Sequence, residues 1–176
     1  AVGVTALGYY SFSMILLTIS MILVSFLVTI KGPQWISSFK THNDIKNLIH
    51  NVNATILRAL ALLAFISPLF LLNIEKILIL FYPEYAEDTV FYIISIIYLS
   101  LFVVIPIYLY DWVFIATSQE GLLIKINVWA TLLSALLYAI SWFLEASIVV
   151  YAVVFLITRA LLFIGYFYRI RIMYVF

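Results

Sequence analysis

The sequence contains no cysteine, and this absence excludes disulfide bridges, thiol nucleophiles and thiolate metal sites. Histidine is almost as scarce: His42 and His50 have only Asp44 as a nearby acid, which is too few ligands for a metal site. The chain has no Ser/His/Asp or Cys/His grouping, phosphate-binding glycine loop or nucleotide motif. We therefore predict that it is not an enzyme, needs no cofactor and binds no nucleic acid.

Charge is also sparse, and apolar residues take its place. Charged residues make up 10% of the chain, whereas hydrophobic residues make up 67% and aromatic residues 18% of its 176 residues. The mean hydropathy is +1.22. A soluble core of this size cannot bury so much apolar surface, so the sequence predicts that most of the chain is surrounded by lipid.

Five apolar segments each approach or exceed the roughly 20 residues that a helix needs to cross about 30 Å of hydrocarbon. Leu, Ile, Val and Phe occur all the way round each segment without period-2 alternation, which favours helices over a barrel. The predicted fold is an all-α integral membrane protein, one domain over residues 1–176 with a bundle of five transmembrane helices. The predicted spans are Tyr9–Ile30, Asn53–Ile74, Thr89–Thr117, Gly121–Leu144 and Ala146–Tyr168.

Two local features shape this bundle. Pro68 and Pro106 lie inside spans, where each removes a backbone donor and is expected to kink its helix. The last two spans meet within "FLEAS", with only Glu145 between them, which predicts a tight antiparallel hairpin.

The lysines and arginines alternate between connections, and this alternation predicts the orientation. The first connection, "KGPQWISSFKTHNDIKNLIHN", is basic, whereas the second contains the acidic "FYPEYAEDT". Lys125 follows the third connection, and Arg169 and Arg171 lie in the C-terminal tail. Connections one and three and the C-terminus are therefore predicted to be cytoplasmic. The first connection suits either a basic loop or a helix on the membrane surface.

The order of these features resembles a known family. The segments "GYYSFSMIL", "KGPQWISSFKTHNDIKNLIHN", "LFYPEYAEDTVFYIIS" and "IATSQEGLLIKINVWATLLSALLYAI" are together similar to the C-terminal half of polysaccharide and O-antigen flippases. These belong to the multidrug/oligosaccharidyl-lipid/polysaccharide exporter superfamily. One departure is clear, because "EASIVVYAVVFLITRALLFI" replaces the family's glycine-rich pattern before the final helix. The chain is therefore similar to a divergent member.

The resemblance implies that the five spans are helices eight to twelve of a transporter with twelve or more. The chain starts at Ala1, and an odd number of spans beginning outside also predicts a missing N-terminal lobe. The implied substrate is an undecaprenyl-diphosphate-linked oligosaccharide, flipped across a bacterial or archaeal cytoplasmic membrane. Membrane lipids and other polysaccharide-assembly membrane proteins are the implied partners.

Charges inside the spans are the candidate site residues, because charge is costly in lipid and usually faces a cavity or a partner. Arg159 is near mid-depth, and Arg58 is shallow enough for its charge to reach the interface. Asp111 and Lys125 flank the "ATSQEG" turn symmetrically, which predicts an ion pair or a coupling site. Arg159, Arg58 and Lys125 are candidates to bind the anionic substrate in a cationic cavity.

Three functional classes remain open from the residues. A flippase needs cations for its anionic substrate, whereas a cation-coupled multidrug antiporter of the same superfamily needs buried acids. The spans offer Arg58, Lys125 and Arg159 against Asp111 alone, and this balance favours the flippase. The third class is a non-transporting membrane scaffold subunit.

Overall fold

The structure is a computed structural model that describes residues 4–175, apart from the side chains of Val4, Leu23 and Val175. All regular structure in this range is helical, and five of its helical segments are long and apolar enough to cross a membrane. The chain is therefore an all-helical membrane protein. The helices are α1 (Val4–His42), α2 (Ile45–Phe81), α3 (Asp88–Leu99), α4 (Leu101–Ala116), α5 (Glu120–Phe143) and α6 (Ile148–Val175), with a short 3-10 turn at Pro83–Tyr85.

The first connection differs from both interpretations of the sequence. It is neither a loop nor a separate surface helix, because α1 continues to His42 and α2 begins at Ile45. Asn43 ends α1 with a left-handed φ of 49°, and the Asp44 carboxylate caps α2 by accepting a hydrogen bond from the backbone N–H of Asn47. Local caps can end one helix and begin the next within two residues. The prediction was wrong because it took the polar composition of this segment as the end of both helices.

Both helices continue through the prolines within their spans. α2 is helical through Pro68, and α4 is helical through Pro106. The third span is interrupted at Ser100, where the backbone N–H is shared between the carbonyls of Ile96 and Ile97. α3 and α4 together form one candidate span, Asp88–Ala116.

The third span lies at the centre of the bundle, and α5 lies at its edge. Of the most apolar 18-residue window in each, 56% is buried in α3–α4 and none in α5. α6 packs against α3, α4 and α5, and the α5–α6 pair forms the hairpin predicted from "FLEAS". Large apolar side chains such as Phe26, Leu72 and Phe143 are exposed, as expected where lipid is the solvent.

Contacts between distant residues place the helix ends. The Tyr9 hydroxyl donates to Glu87, and the Tyr10 and Tyr138 hydroxyls are 3.4 Å apart. The start of α1, the α2–α3 connection and the end of α5 therefore share one end of the bundle, which is called the α1-start end below. The opposite end holds the α1–α2 and α4–α5 connections, as an up-and-down arrangement of five spans requires.

A polar cleft between α5 and α6

Four polar residues of α5 lie on one face of this largely apolar helix. Asn127, Thr131, Ser134 and Tyr138 are spaced by four, three and four residues, which places them on one stripe. Thr131 and Ser134 donate their hydroxyl hydrogens to carbonyls one turn earlier in α5, at 2.9 and 2.7 Å. These bonds satisfy the hydroxyls without a second helix, and they leave oxygen lone pairs facing the cleft.

The facing side of the cleft belongs to α6. Phe155, Thr158, Arg159 and Leu162 line it, and the volume of the cleft is about 160 Å³. Thr158 donates to the Phe155 carbonyl at 2.9 Å, in the same way as the hydroxyls of α5. The cleft therefore combines hydroxyl and amide groups with a single arginine inside an apolar bundle.

Arg159 is the only charged residue among those that line this cleft in residues 4–175. Its Cζ atom is 5.1 Å from the centroid of the Phe155 ring, a cation–π distance. No described acid or hydrogen-bond acceptor binds its guanidinium, and the side chain is exposed within this chain. Its five N–H donors are therefore available to a ligand or to another part of the protein.

A hydrogen-bonded network of three helices closes one end of the cleft. The Tyr166 hydroxyl of α6 donates to Asp111 of α4 at 2.7 Å, and it accepts from the Asn127 side chain of α5 at 2.8 Å. Asn127 lines the cleft, so the network and the cleft share a residue. Tyr166 itself is fully buried against Phe114, with the rings edge to face.

This network corrects the ion pair predicted between Asp111 and Lys125. Asp111 bonds Tyr166 instead, and the described residues contain no ion pair between Asp111 and the exposed Lys125. The physical reason is helix geometry. Asn127 faces Tyr166, and Lys125 lies two residues earlier, about 200° away around α5.

Aromatic rings form the other end of the cleft, towards the α1-start end. Tyr138 stacks on Tyr151 with ring centroids 5.9 Å apart, and its hydroxyl lies near that of Tyr10. The Tyr151 hydroxyl is buried and has no hydrogen-bond partner among the described residues. Of this stacked pair, Tyr138 is the ring that lines the cleft.

The three predicted cations do not share one cavity in this chain. Arg159 lines the α5–α6 cleft, whereas Arg58 lines a separate cleft between α1 and α2 with Lys31. Lys125 is exposed and lines neither cleft. The described residues also contain no group of three His, Asp or Glu side chains that could hold a metal ion.

The sequence interpretation missed the polar stripe of α5 and the role of Tyr166. The stripe has a recognisable pattern in the sequence, because its spacing is that of one helix face, whereas the candidate residues inferred from the sequence were all charged. Tyr166 had no such signal, since only the packing of α6 against α4 places it beside Asp111.

No protein-family model, curated protein or solved structure matches this chain.

Proposed function

We propose that this chain is part of a membrane transporter of the multidrug/oligosaccharidyl-lipid/polysaccharide exporter type. Its substrate is an undecaprenyl-diphosphate-linked oligosaccharide, which it moves from the cytoplasmic to the outer leaflet by alternating access. The observation that carries this proposal is Arg159, a charged residue inside an apolar helix with no described acid beside it, facing a polar cleft.

The depth of Arg159 supports a role in transport. It lies 11 residues after Ile148 and 16 before Val175, so about 16 and 24 Å of helix separate it from the two ends of α6. A guanidinium at that depth is costly unless it faces water, a partner or an anionic ligand. An anionic substrate that passes the middle of the membrane provides such a ligand.

The chemistry of the cleft suits a sugar diphosphate. A guanidinium binds phosphate oxygens through two parallel hydrogen bonds, which an ammonium does less rigidly. The hydroxyl oxygens of Thr131 and Ser134 can accept hydrogen bonds from sugar hydroxyls. The Tyr138 ring, which stacks on Tyr151, lines the cleft and offers a flat apolar surface of the kind that sugar rings can pack against.

The same geometry argues against the cation-coupled drug antiporter. That function calls for an acid exposed to the transport pathway, and no acid lines the α5–α6 cleft in the described part of the chain. Asp111, the one acid within a span near it, is bonded to Tyr166.

The test replaces Arg159 in cells that export the glycan. We expect Arg159→Ala to reach the membrane in normal amounts but to abolish export, and Arg159→Lys to retain part of it because the charge remains. Arg169→Ala is the matched control, since Arg169 is an exposed arginine of α6 outside the cleft. Membrane abundance and surface glycan are measured in the same cultures.

Two results would contradict the proposal. If Arg159→Ala lowers the abundance of the protein, Arg159 is a packing residue that holds helices together. If abundance and export both stay normal, the cleft does not handle the substrate and the scaffold role gains support.

A further inference from the structure

A second site lies along the α1–α2 pair, away from the α5–α6 cleft. Two hollows follow each other between these helices, and each is about 280 Å³. On α1, the residues that line them recur every three or four positions from Ser20 to Ser38, with Gln34 and Trp35 adjacent. On α2, they recur with the same helical period from Asn51 to Ile66 and include adjacent pairs such as Arg58 and Ala59. Because such spacing keeps residues on one helix face, the two hollows form one continuous groove.

One half of this groove is polar and cationic. Lys31 and Arg58 line it from opposite helices, and Gln34, Ser38 and Asn51 add neutral polar groups. No acid lines it in the described range, and Asp44 lies in a neighbouring hollow, where it caps α2. No hydrogen bond or ion pair between described residues engages the side-chain nitrogens of Lys31 or Arg58. Both cations are therefore available to one anion.

The other half of the groove is apolar. Val24 and Leu27 of α1 face Leu62 and Ile66 of α2, and Tyr98 and Ile105 of the central span form its floor. Leu62 and Ile66 are exposed within the chain, at 59% and 42%. This half therefore offers unpaired apolar surface that begins one helical turn beyond the cationic half.

We propose that the groove binds an anionic membrane phospholipid. Its phosphate lies between Lys31 and Arg58, and one acyl chain follows the apolar half. The order along the groove, cationic and then apolar, matches the order of groups in such a lipid. Basic pockets between membrane helices at the level of the head groups bind anionic lipids for this electrostatic reason.

The position of the groove favours a membrane lipid over a soluble anion. Lys31 directly follows the first apolar run, which places it at the interface, and Arg58 lies about 7 Å inside the second, five residues after Asn53. Phosphate groups of the lipid leaflet reach this level. The groove is also distinct from the cleft of Arg159, so this inference does not depend on the proposed transport function.

The test measures lipid binding to the purified protein in a neutral detergent by native mass spectrometry. We expect phosphatidylglycerol to bind more tightly than phosphatidylcholine, and inorganic phosphate not to displace it. Replacing two cations by glutamine in Lys31→Gln/Arg58→Gln should weaken phosphatidylglycerol binding about thirtyfold, since each basic residue near a lipid surface contributes roughly a factor of five.

Lys40→Gln/Lys46→Gln is the matched control. It removes the same charge from the same two helices, and both lysines are exposed outside the groove. An equal loss in the two double variants would overturn the proposal, because it would show attraction to a basic surface without a site. Displacement of the lipid by inorganic phosphate, or selective binding of a polyprenyl diphosphate over phosphatidylglycerol, would also overturn it.

A second variant tests the acyl half. Ala59 lines the apolar hollow, whereas Ala61 is exposed on α2 outside it. We expect Ala59→Phe to fill the hollow and weaken phosphatidylglycerol binding, and Ala61→Phe to leave it unchanged. If both variants bind the lipid as the unaltered protein does, no acyl chain occupies the groove.

Discussion

Gly32 shows how one missing side chain sets the distance between two helices. A Cβ atom built on Gly32 would lie 2.5 Å from Cε3 of Trp112 on α4, closer than real Cβ contacts allow. Small residues permit such close approach between membrane helices. The rigid indole ring of Trp112 packs where the side chain of residue 32 would otherwise be.

We expect Gly32→Ala to destabilise the protein by about 1–3 kcal/mol, since α1 or Trp112 must move to admit the methyl group. Thermal unfolding of the purified protein in detergent measures this change. Gly8→Ala is the control, because a Cβ on Gly8, in the same helix, would contact nothing within 4 Å. If Gly32→Ala is as stable as Gly8→Ala, the Trp112 ring does not pack closely against Gly32.

Asp111 also acts at the scale of single residues, through Tyr166. Removing the Tyr166 hydroxyl leaves a half-buried carboxylate without its donor, and we expect Tyr166→Phe to cost about 1–3 kcal/mol of stability. In a double-mutant cycle, Asp111→Asn and Tyr166→Phe should be coupled, whereas Asp111→Asn and Lys125→Gln should be additive. Measured coupling between Asp111 and Lys125 would instead support the ion pair predicted from the sequence.

At the scale of elements, α5 combines a polar stripe with an apolar surface that the rest of the chain does not bury. None of its most apolar window is buried inside this chain, yet one narrow stripe of it is polar and faces α6. Hydroxyls that bond to their own helix keep this stripe compatible with the membrane. The stripe and Arg159 together make the α5–α6 pair the candidate substrate surface.

A leucine placed in that stripe tests it. We expect Ser134→Leu to occupy much of the cleft of about 160 Å³ and to reduce glycan export severalfold at normal membrane abundance. Ala135→Leu is the matched control, because Ala135 is the next residue, is exposed and does not line the cleft. Export that is equally normal, or equally reduced, in both variants would contradict a substrate role for this face.

At the scale of the whole molecule, the five spans have a defined up-and-down order, and the basic connections suggest which end is cytoplasmic. The hydrogen bond from Tyr9 to Glu87 and the proximity of Tyr10 to Tyr138 place the acidic connection at the α1-start end. Lys40 lies at the opposite end, where α1 meets α2.

Cysteine labelling tests this orientation, and the chain suits it because it has no cysteine of its own. We expect Glu84→Cys to react with an impermeant thiol reagent added to intact cells, and Lys40→Cys to react only after the membrane is opened. Glu84 suits this test because its side chain is exposed, whereas Glu87 accepts a hydrogen bond from Tyr9. Labelling of Lys40→Cys in intact cells would show that the orientation is the reverse of the one proposed.

Composition and periodicity alone predicted the helical structure seen over residues 4–175, its five helical segments long enough to cross a membrane, and the hairpin of the last two. These are local or additive properties, since a helix satisfies its own backbone and a span needs only enough consecutive apolar residues. Hydropathy failed at the first connection, where two helices extend far beyond their apolar runs. Their extent depends on the caps at Asn43 and Asp44, which an average over many residues does not detect.

Only the tertiary structure decided which side chains meet. The sequence places Arg159 and Arg58 at different depths but does not show what each one faces. In the structure Arg159 faces the α5–α6 cleft, and Arg58 shares the α1–α2 groove with Lys31. Asp111 bonds Tyr166 and not Lys125 because α6 packs against both α4 and α5 and presents Tyr166 to them. Pairing of this kind depends on the rotation of each helix about its axis. Rotation is set by packing against neighbours, and a nearly uniform apolar sequence does not specify it.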